Sequence, residues 1–98
     1  MIQNNENMVQ RKVCAIIPAY NEEKYLAEVI SETKKYVDSV IVVDDGSLDK
    51  TAIIASNEAD HFLKHPVNSG KGVALQTGFL YAQKLDFDVI ITIDTDLQ

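Results

Sequence analysis

Four consecutive β-branched residues, Val40-Ile41-Val42-Val43, constrain this chain more than any other feature. Branching at Cβ narrows χ1 and suits a pleated strand. The run has no polar alternation, so both of its faces call for burial, as in a parallel sheet covered by helices on each side. Parallel neighbours need a crossover connection, usually a helix, and the rest of the sequence supplies such connections. A first strand reads over 13–18. Asn21 is placed to cap a helix running through Tyr36, with Glu22 and Glu23 in its first turn, where carboxylates suit the dipole. Leu26, Val29, Ile30, Thr33 and Val37 recur there at helical spacing. After 40–43 comes the turn Asp44-Asp45-Gly46-Ser47, then a helix over 49–58 and a short strand over 61–64. A loop over 66–70 leads to a helix over 71–84, with Ala74, Gly78, Tyr81 and Leu85 on one side, and a last strand covers 89–93. Strands alternating with helices predict an α/β chain with a parallel sheet and right-handed crossovers.

Ninety-eight residues suffice for one small domain. A formal net charge of −6 argues against a general nucleic-acid-binding role, which needs a basic face. An acidic chain that handles phosphates needs a metal or local donors to offset repulsion. A single cysteine, Cys14, excludes an intrachain disulfide. Its apolar surroundings point to a buried reduced thiol and a reducing, cytoplasmic setting. No apolar stretch is long enough to span a bilayer, and the polar start from Gln3 to Asn7 lacks a signal-peptide core. Residues 1–11 are expected to form a flexible tail and 12–98 the folded unit.

In open parallel sheets, ligands bind beyond the carboxyl ends of the strands. The unusual residues of this chain gather there: Tyr20, Asn21 and Glu22 after strand one, Asp44 and Asp45 after strand two, Asn68, Gly70 and Lys71 after strand three, and Asp94, Asp96 and Gln98 after strand four. Tyr20 offers an aromatic plate for a base or ribose, and free N–H groups at the following helix start suit a phosphate. A hydrophobic staple and cap account for the same segment without a ligand. Asp44 and Asp45 point to opposite sides, so one can accept from a nucleoside while the other organises the turn. Asn68-Ser69-Gly70-Lys71-Gly72 lets a ligand approach the backbone beside a lysine charge, although it has neither P-loop nor G-x-G-x-x-G spacing. Asp94 and Asp96, two apart in an extended segment, present carboxylates to one side, with Gln98 next in line. Oxygen donors so placed suit a hard divalent cation, while a polar turn at a strand end explains them equally well on local grounds. His61 and His65 lack ligand-spaced partners and read as structural or surface residues.

Taken together, Ile16-Ile17-Pro18-Ala19-Tyr20-Asn21-Glu22, Val42-Val43-Asp44-Asp45-Gly46-Ser47, Asn68-Ser69-Gly70-Lys71-Gly72 and Asp94-Thr95-Asp96-Leu97-Gln98 occur in an order and spacing that resemble the N-terminal half of a family 2 glycosyltransferase with the GT-A fold. The nearest group is the dolichol-phosphate mannosyltransferase-like enzymes, and the similarity runs from about Val13 to the last residue. It implies a three-layer Rossmann-like parallel sheet in strand order 3-2-1-4, with 40–43 and 89–93 buried on both faces. It also implies that Pro18, Tyr20, Glu22, Asp44, Asp45, Lys71, Asp94, Thr95 and Asp96 bind a GDP- or UDP-sugar. Asp94 and Asp96 would form the DxD motif and, with Gln98, hold Mg²⁺ or Mn²⁺. The acceptor would be a lipid phosphate, with membrane association of the whole enzyme. Family members continue beyond the DxD strand and carry the general base there, so no catalytic residue is assigned. A chain of this length alone is expected to be inactive in transfer, and to pair with a second copy through its exposed sheet edge.

Other readings use the same acids. A receiver-like phosphoryl-signalling domain would employ Asp44 and Asp45, but it wants its acidic pair after strand one, where this chain has Tyr20-Asn21. A nucleotidyltransferase lacks its glycine- and arginine-rich opening here. A non-catalytic nucleotide-binding fragment is compatible with every motif above. Nucleotide titration with and without metal separates these readings.

Overall fold

The computed structural model describes residues 10–95. Strands β1 (Val13–Ala19), β2 (Ser39–Asp44), β3 (His61–Lys64) and β4 (Val89–Thr92) alternate with helices α1 (Leu26–Thr33), α2 (Thr51–Glu58) and α3 (Lys71–Gln83). All pairings are parallel, in the order β3-β2-β1-β4 that the motifs imply. In register, Ile16 lies opposite Ile41 on one side and Thr92 on the other.

The pure apolar runs become the two inner strands. Ile17, Ala19, Val40 and Val42 pack against Leu26, Val29 and Ile30 of α1 and Ala55 of α2. Cys14, Ile16, Ile41 and Val43 face Ala74 and Ala82 of α3. Alternation along each strand sends neighbours to opposite helix layers, which gives three layers with the sheet in the middle. Small residues let α3 approach closely: Ala74, Gly78 and Ala82 form its buried stripe, and a Cβ on Gly78 would lie 2.5 Å from Ile16 Cγ2. Ala82 therefore occupies the inward position expected for Tyr81, which is only partly buried. Burial pushes the Cys14 thiol pKa up, so the thiol stays protonated and inert, a packing residue.

Three expectations are corrected. The segment 89–93 is not buried on both faces: β4 is the edge strand, paired only with β1 among the described residues, and Ile91 and Thr92 are exposed. Its composition resembles that of β2, but its place in the sheet differs. Asn21 does not cap a helix. Its φ is +51°, a left-handed conformation that asparagine tolerates and that an N-cap, which is normally extended, does not use. The helix begins only at Leu26, with Glu28 rather than Glu22 or Glu23 as the acid of its first turn. It ends at Thr33, and the chain reaches Tyr36 through shorter-range turns from Lys35 to Glu32 and from Tyr36 to Thr33.

At the amino end of the sheet, three aspartates share one task. Asp38, Asp60 and Asp88 each precede a strand. Their Oδ2 atoms accept N–H bonds from Val13, Val40 and Lys12, at 2.7, 2.7 and 2.8 Å. Each clip closes a donor at the start of a neighbouring strand or, for Lys12, just before it. Three of the eight described aspartates are thereby committed to the end of the sheet away from the motifs.

Candidate functional site

At the carboxyl end, the loops after β1 and β2 are laced together. Asn21 N–H donates to Ser47 Oγ at 2.8 Å, and Leu48 N–H donates back to Asn21 Oδ1 at 3.0 Å. Glu22 N–H donates to Thr51 Oγ1 at 2.8 Å and Glu23 N–H to Asp49 Oδ2 at 3.4 Å, while Lys50 N–H donates to Glu23 Oε1 at 3.0 Å. The N–H groups expected to meet a phosphate after strand one are thus engaged by the neighbouring loop. Their effect is to fix the direction in which Pro18, Ala19 and Tyr20 leave the sheet. Asp49 also accepts from Thr51 N–H at 2.9 Å and so fulfils the expected helix-start role of that turn. Burial tends to raise the Asp49 pKa, but the Thr51 hydroxyl and several backbone N–H groups outweigh it and hold the carboxyl below the ordinary range.

Asp44 and Asp45 divide as their alternation requires. Asp44 is fully buried and its Oδ2 accepts from Ser47 N–H at 3.3 Å, which organises the turn. Asp45 lies on the α3 side. Its Oδ1 accepts from Ser69 N–H at 2.9 Å and meets His65 Nδ1 at 2.8 Å; its Oδ2 accepts from Gly70 N–H at 2.8 Å. Burial pushes its pKa up, but the His65 bond, the two N–H donors and the His65 charge together hold the carboxyl below the usual carboxylate range. It is therefore a fixed anion. The glycine loop accordingly wraps a carboxylate with its N–H groups, rather than leaving them open to a ligand. Gly70 adopts φ +106° to turn its N–H inward, a conformation that L side chains rarely take. Gly46, at φ +76°, lies so close to the Val67-Asn68 backbone that a Cβ would come within 2.5 Å of Val67 C.

Above these contacts lies a cleft of about 210 Å³ lined by Pro18, Ala19, Tyr20, Asp45, Asn68, Gly70, Lys71, Ala74 and Thr95. A second, of about 120 Å³, shares Pro18 and Lys71 with it and is lined also by Leu75, Thr92, Ile93 and Asp94. The rim is thus one groove from Tyr20 to Asp94, crossed by Lys71. Lys71 Nζ lies 2.9 Å from Asp94 Oδ2, with both side chains partly exposed. The larger cleft falls below the ~300–1,000 Å³ of typical ligand pockets, a size that suits one part of a ligand such as a base. Of the residues expected at a nucleotide site, Pro18, Tyr20, Asp45, Lys71 and Thr95 line the larger cleft and Asp94 the smaller. Glu22 and Asp44 line neither. Asp96 and Gln98 lie outside the described residues.

Sequence reasoning set His65 aside, yet it contacts Asp45 directly, and its Nε2 lies 2.8 Å from Thr77 Oγ1. The overlooked signal was position: His65 follows β3 as Asp45 follows β2. His61 instead meets the Tyr81 hydroxyl at 2.9 Å, a packing contact between β3 and α3.

Among the described residues, no three His, Cys, Asp or Glu side chains gather to hold a metal. Asp94 alone of the expected ligand set can be placed. Its carboxylate is a hard oxygen donor, partly exposed on the groove, and that donor type fits Mg²⁺ or Mn²⁺, with the Lys71 ammonium as a competitor for it.

A parallel α/β sheet with helices on both faces, and with an acidic groove beyond the carboxyl ends of its strands, defines a wide class of ligand-binding domains. The family model for glycosyl transferase family 2 matches residues 14–98, and the chain belongs to that family. It is 35% identical over 97 residues to a dolichyl-phosphate beta-glucosyltransferase of Trichomonas vaginalis, covering 83% of this chain and 29% of that protein. It is 34% identical over 109 residues to the UDP-N-acetylglucosamine–dolichyl-phosphate N-acetylglucosaminyltransferase of Methanococcus voltae, covering 93% of this chain and 43% of that one. Among solved structures, it is similar to glucosyl-3-phosphoglycerate synthase of Mycobacterium tuberculosis in complex with Mn²⁺, UDP and glucosyl-3-phosphoglycerate. That likeness has a TM-score of 0.68 at 30% identity and covers 87% of this chain and 33% of that one. The chain thus spans less than half the length of these relatives, and its sheet is that of the GT-A glycosyltransferases. No helix among the described residues is long and apolar enough to cross a membrane.

Proposed function

We propose that this chain forms the donor-nucleotide half of a family 2 glycosyltransferase, binding a nucleoside-diphospho-sugar together with Mg²⁺ or Mn²⁺. The observation that carries this reading is the convergence of all four strand ends on one groove. Tyr20, 42% exposed, presents a ring on which a base can stack. Asp45 is a fixed anion able to accept from a base or ribose donor. Lys71 places positive charge midway along the groove, where the diphosphate would run between Tyr20 and Asp94. Asp94, with Asp96 and Gln98, would hold the cation, which offsets charge on the diphosphate. In the whole enzyme, the sugar would pass to a lipid phosphate. The dolichyl-phosphate relatives support that acceptor, and the mycobacterial complex with UDP and Mn²⁺ supports the donor and the metal.

Calorimetric titration of the chain with UDP and GDP, with Mn²⁺ and after chelation, tests the proposal. Chelation should weaken binding, and Asp96→Asn should remove much of that metal dependence, because an amide oxygen lacks the charge that holds a hard cation. Asp45→Ala should weaken nucleotide binding even without metal. Affinity unchanged by chelation would contradict the role given to Asp94 and Asp96.

A further inference from the structure

We propose that His65 is a positioning residue for the nucleoside, orienting the Asp45 carboxylate from the start of the loop after β3 and anchored in turn by Thr77 of α3. This rests on the reading above that Asp45 meets the nucleoside. A carboxylate offers about four acceptor positions on its two oxygens. Two at Oδ1 are taken by Ser69 N–H and His65 Nδ1, and one at Oδ2 by Gly70 N–H. Among the described residues, one position at Oδ2 remains, and Asp45 lines the cleft.

Ser69 and Gly70 are adjacent, so their two bonds come from a single short piece of backbone. The His65 bond comes from a side chain at the start of the same loop, just past β3, and adds a further constraint on the rotation of the carboxylate. The ring is itself held: because an ionised carboxylate can only accept, Nδ1 carries the hydrogen of that bond. In the neutral ring, Nε2 then accepts from the Thr77 hydroxyl; in the protonated ring it donates to the same oxygen. The hydroxyl serves either state by rotation, so the ring keeps one orientation. The His65 and Asp45 side chains are 14% and 5% exposed, so water competes little for these bonds. The orientation of the open acceptor at the base-binding end of the groove is therefore set by a residue that lines neither cleft.

The test compares three replacements in the full chain. His65→Leu removes both bonds. His65→Asn puts an amide N–H near the place of Nδ1 and so keeps the donor to Asp45. His65→Gln puts its amide near the place of Nε2, reaching Thr77 but not Asp45. Titration with UDP and with GDP under chelation reads the nucleotide contacts without the contribution of the metal. Leu and Gln should weaken binding about threefold to tenfold, the net weight of one hydrogen bond, and Asn should restore most of that loss. A ¹³C NMR titration of the Asp45 carboxyl, without ligand, should show its midpoint rising with Leu and Gln and staying low with Asn. In an Asp45→Ala background, His65→Gln should add no further loss. Equal loss with Asn and Gln, in affinity and in the Asp45 midpoint, would mean that His65 only packs, and would overturn the proposal. If Asp45→Ala weakens binding while His65→Gln does not, positioning fails alone. If Asp45→Ala has no effect, the nucleoside role of Asp45 fails and takes this proposal with it. Circular dichroism melts confirm that each variant is folded.

Discussion

At the scale of single residues, the molecule spends its acids unevenly, and Asp45 bears the largest electrostatic load. It is 3% exposed and takes three partners from the loop that follows β3. Its pKa is depressed, because these donors outweigh the burial that works against them. A carboxyl depressed in the folded state contributes stability that is fully present above its unfolded value, about 3.9. That contribution is lost as pH falls through the lower folded value. Urea melts should therefore show stability falling below about pH 4, and Asp45→Asn should flatten that acid limb while lowering stability at neutral pH. An acid limb of unchanged slope in the variant would show that another carboxyl governs it, Asp49 being the next candidate since its pKa is also lowered. Gly46 is the second residue on which the rim depends. Alanine there meets both a positive φ and the Val67-Asn68 backbone, which no rotamer change relieves. Loss of about 2–4 kcal/mol is expected in chemical denaturation, from strain plus overpacking.

Among the elements, the divide between what the sequence discloses and what it hides follows physical lines. β2 was legible because four β-branched residues without alternation have few other homes. β3 was legible through the turn chemistry around it. β4 reads like β2 in composition, and the expected order 3-2-1-4 already put it at an edge; what failed was the burial of both its faces, since an edge strand has a neighbour on one side only. Asn21 misled because the residue types that cap helices also tolerate the left-handed turn it adopts. In the groove, Thr95 came only with the family resemblance, whereas Tyr20, Asp45, Lys71 and Asp94 were legible from their places after strands. His65 was not, since its partners lie 20 and 12 residues away. The aspartate clips were hidden for the same reason: each depends on register with a neighbouring strand. They also separate stability from binding. Asp60→Ala should leave the N–H of the fully buried Val40 without its partner and cost about 1–2 kcal/mol. Nucleotide affinity should be unchanged, since the clip lies at the opposite end of the sheet. A combined stability and titration measurement checks both halves; weakened binding in this variant would show that the two ends of β2 are coupled.

Across the whole molecule, the groove is built by segments distant in sequence. Its walls come from the loops after β1, β2, β3 and β4; His65 to Asp45 joins two of them, and Lys71 to Asp94 joins another two. A ligand lying along the groove touches all four at once, so occupancy is linked to the folding of the entire unit. Binding confined to the folded state stabilises by RT ln(1 + [L]/Kd), about 2.7 kcal/mol at a hundredfold excess over Kd. For a chain near this size, 1 kcal/mol shifts Tm by roughly 4–8 °C. UDP or GDP with Mn²⁺, at such an excess, should therefore raise Tm by roughly 10–20 °C. Chelation at the same nucleotide concentration should return most of that shift, and Asp94→Asn should blunt the Mn²⁺-dependent part while preserving the part due to the nucleoside. The opposing force is the net charge of −6, which repels a polyanion at long range and is screened within about 10 Å at 0.1 M salt. Without metal, added salt should therefore change the nucleotide-induced shift little or increase it, unlike a basic site, where salt weakens binding. A metal-free shift that collapses as salt rises would place the phosphates against a cationic surface elsewhere, and would remove the diphosphate from the Lys71–Asp94 end of the groove.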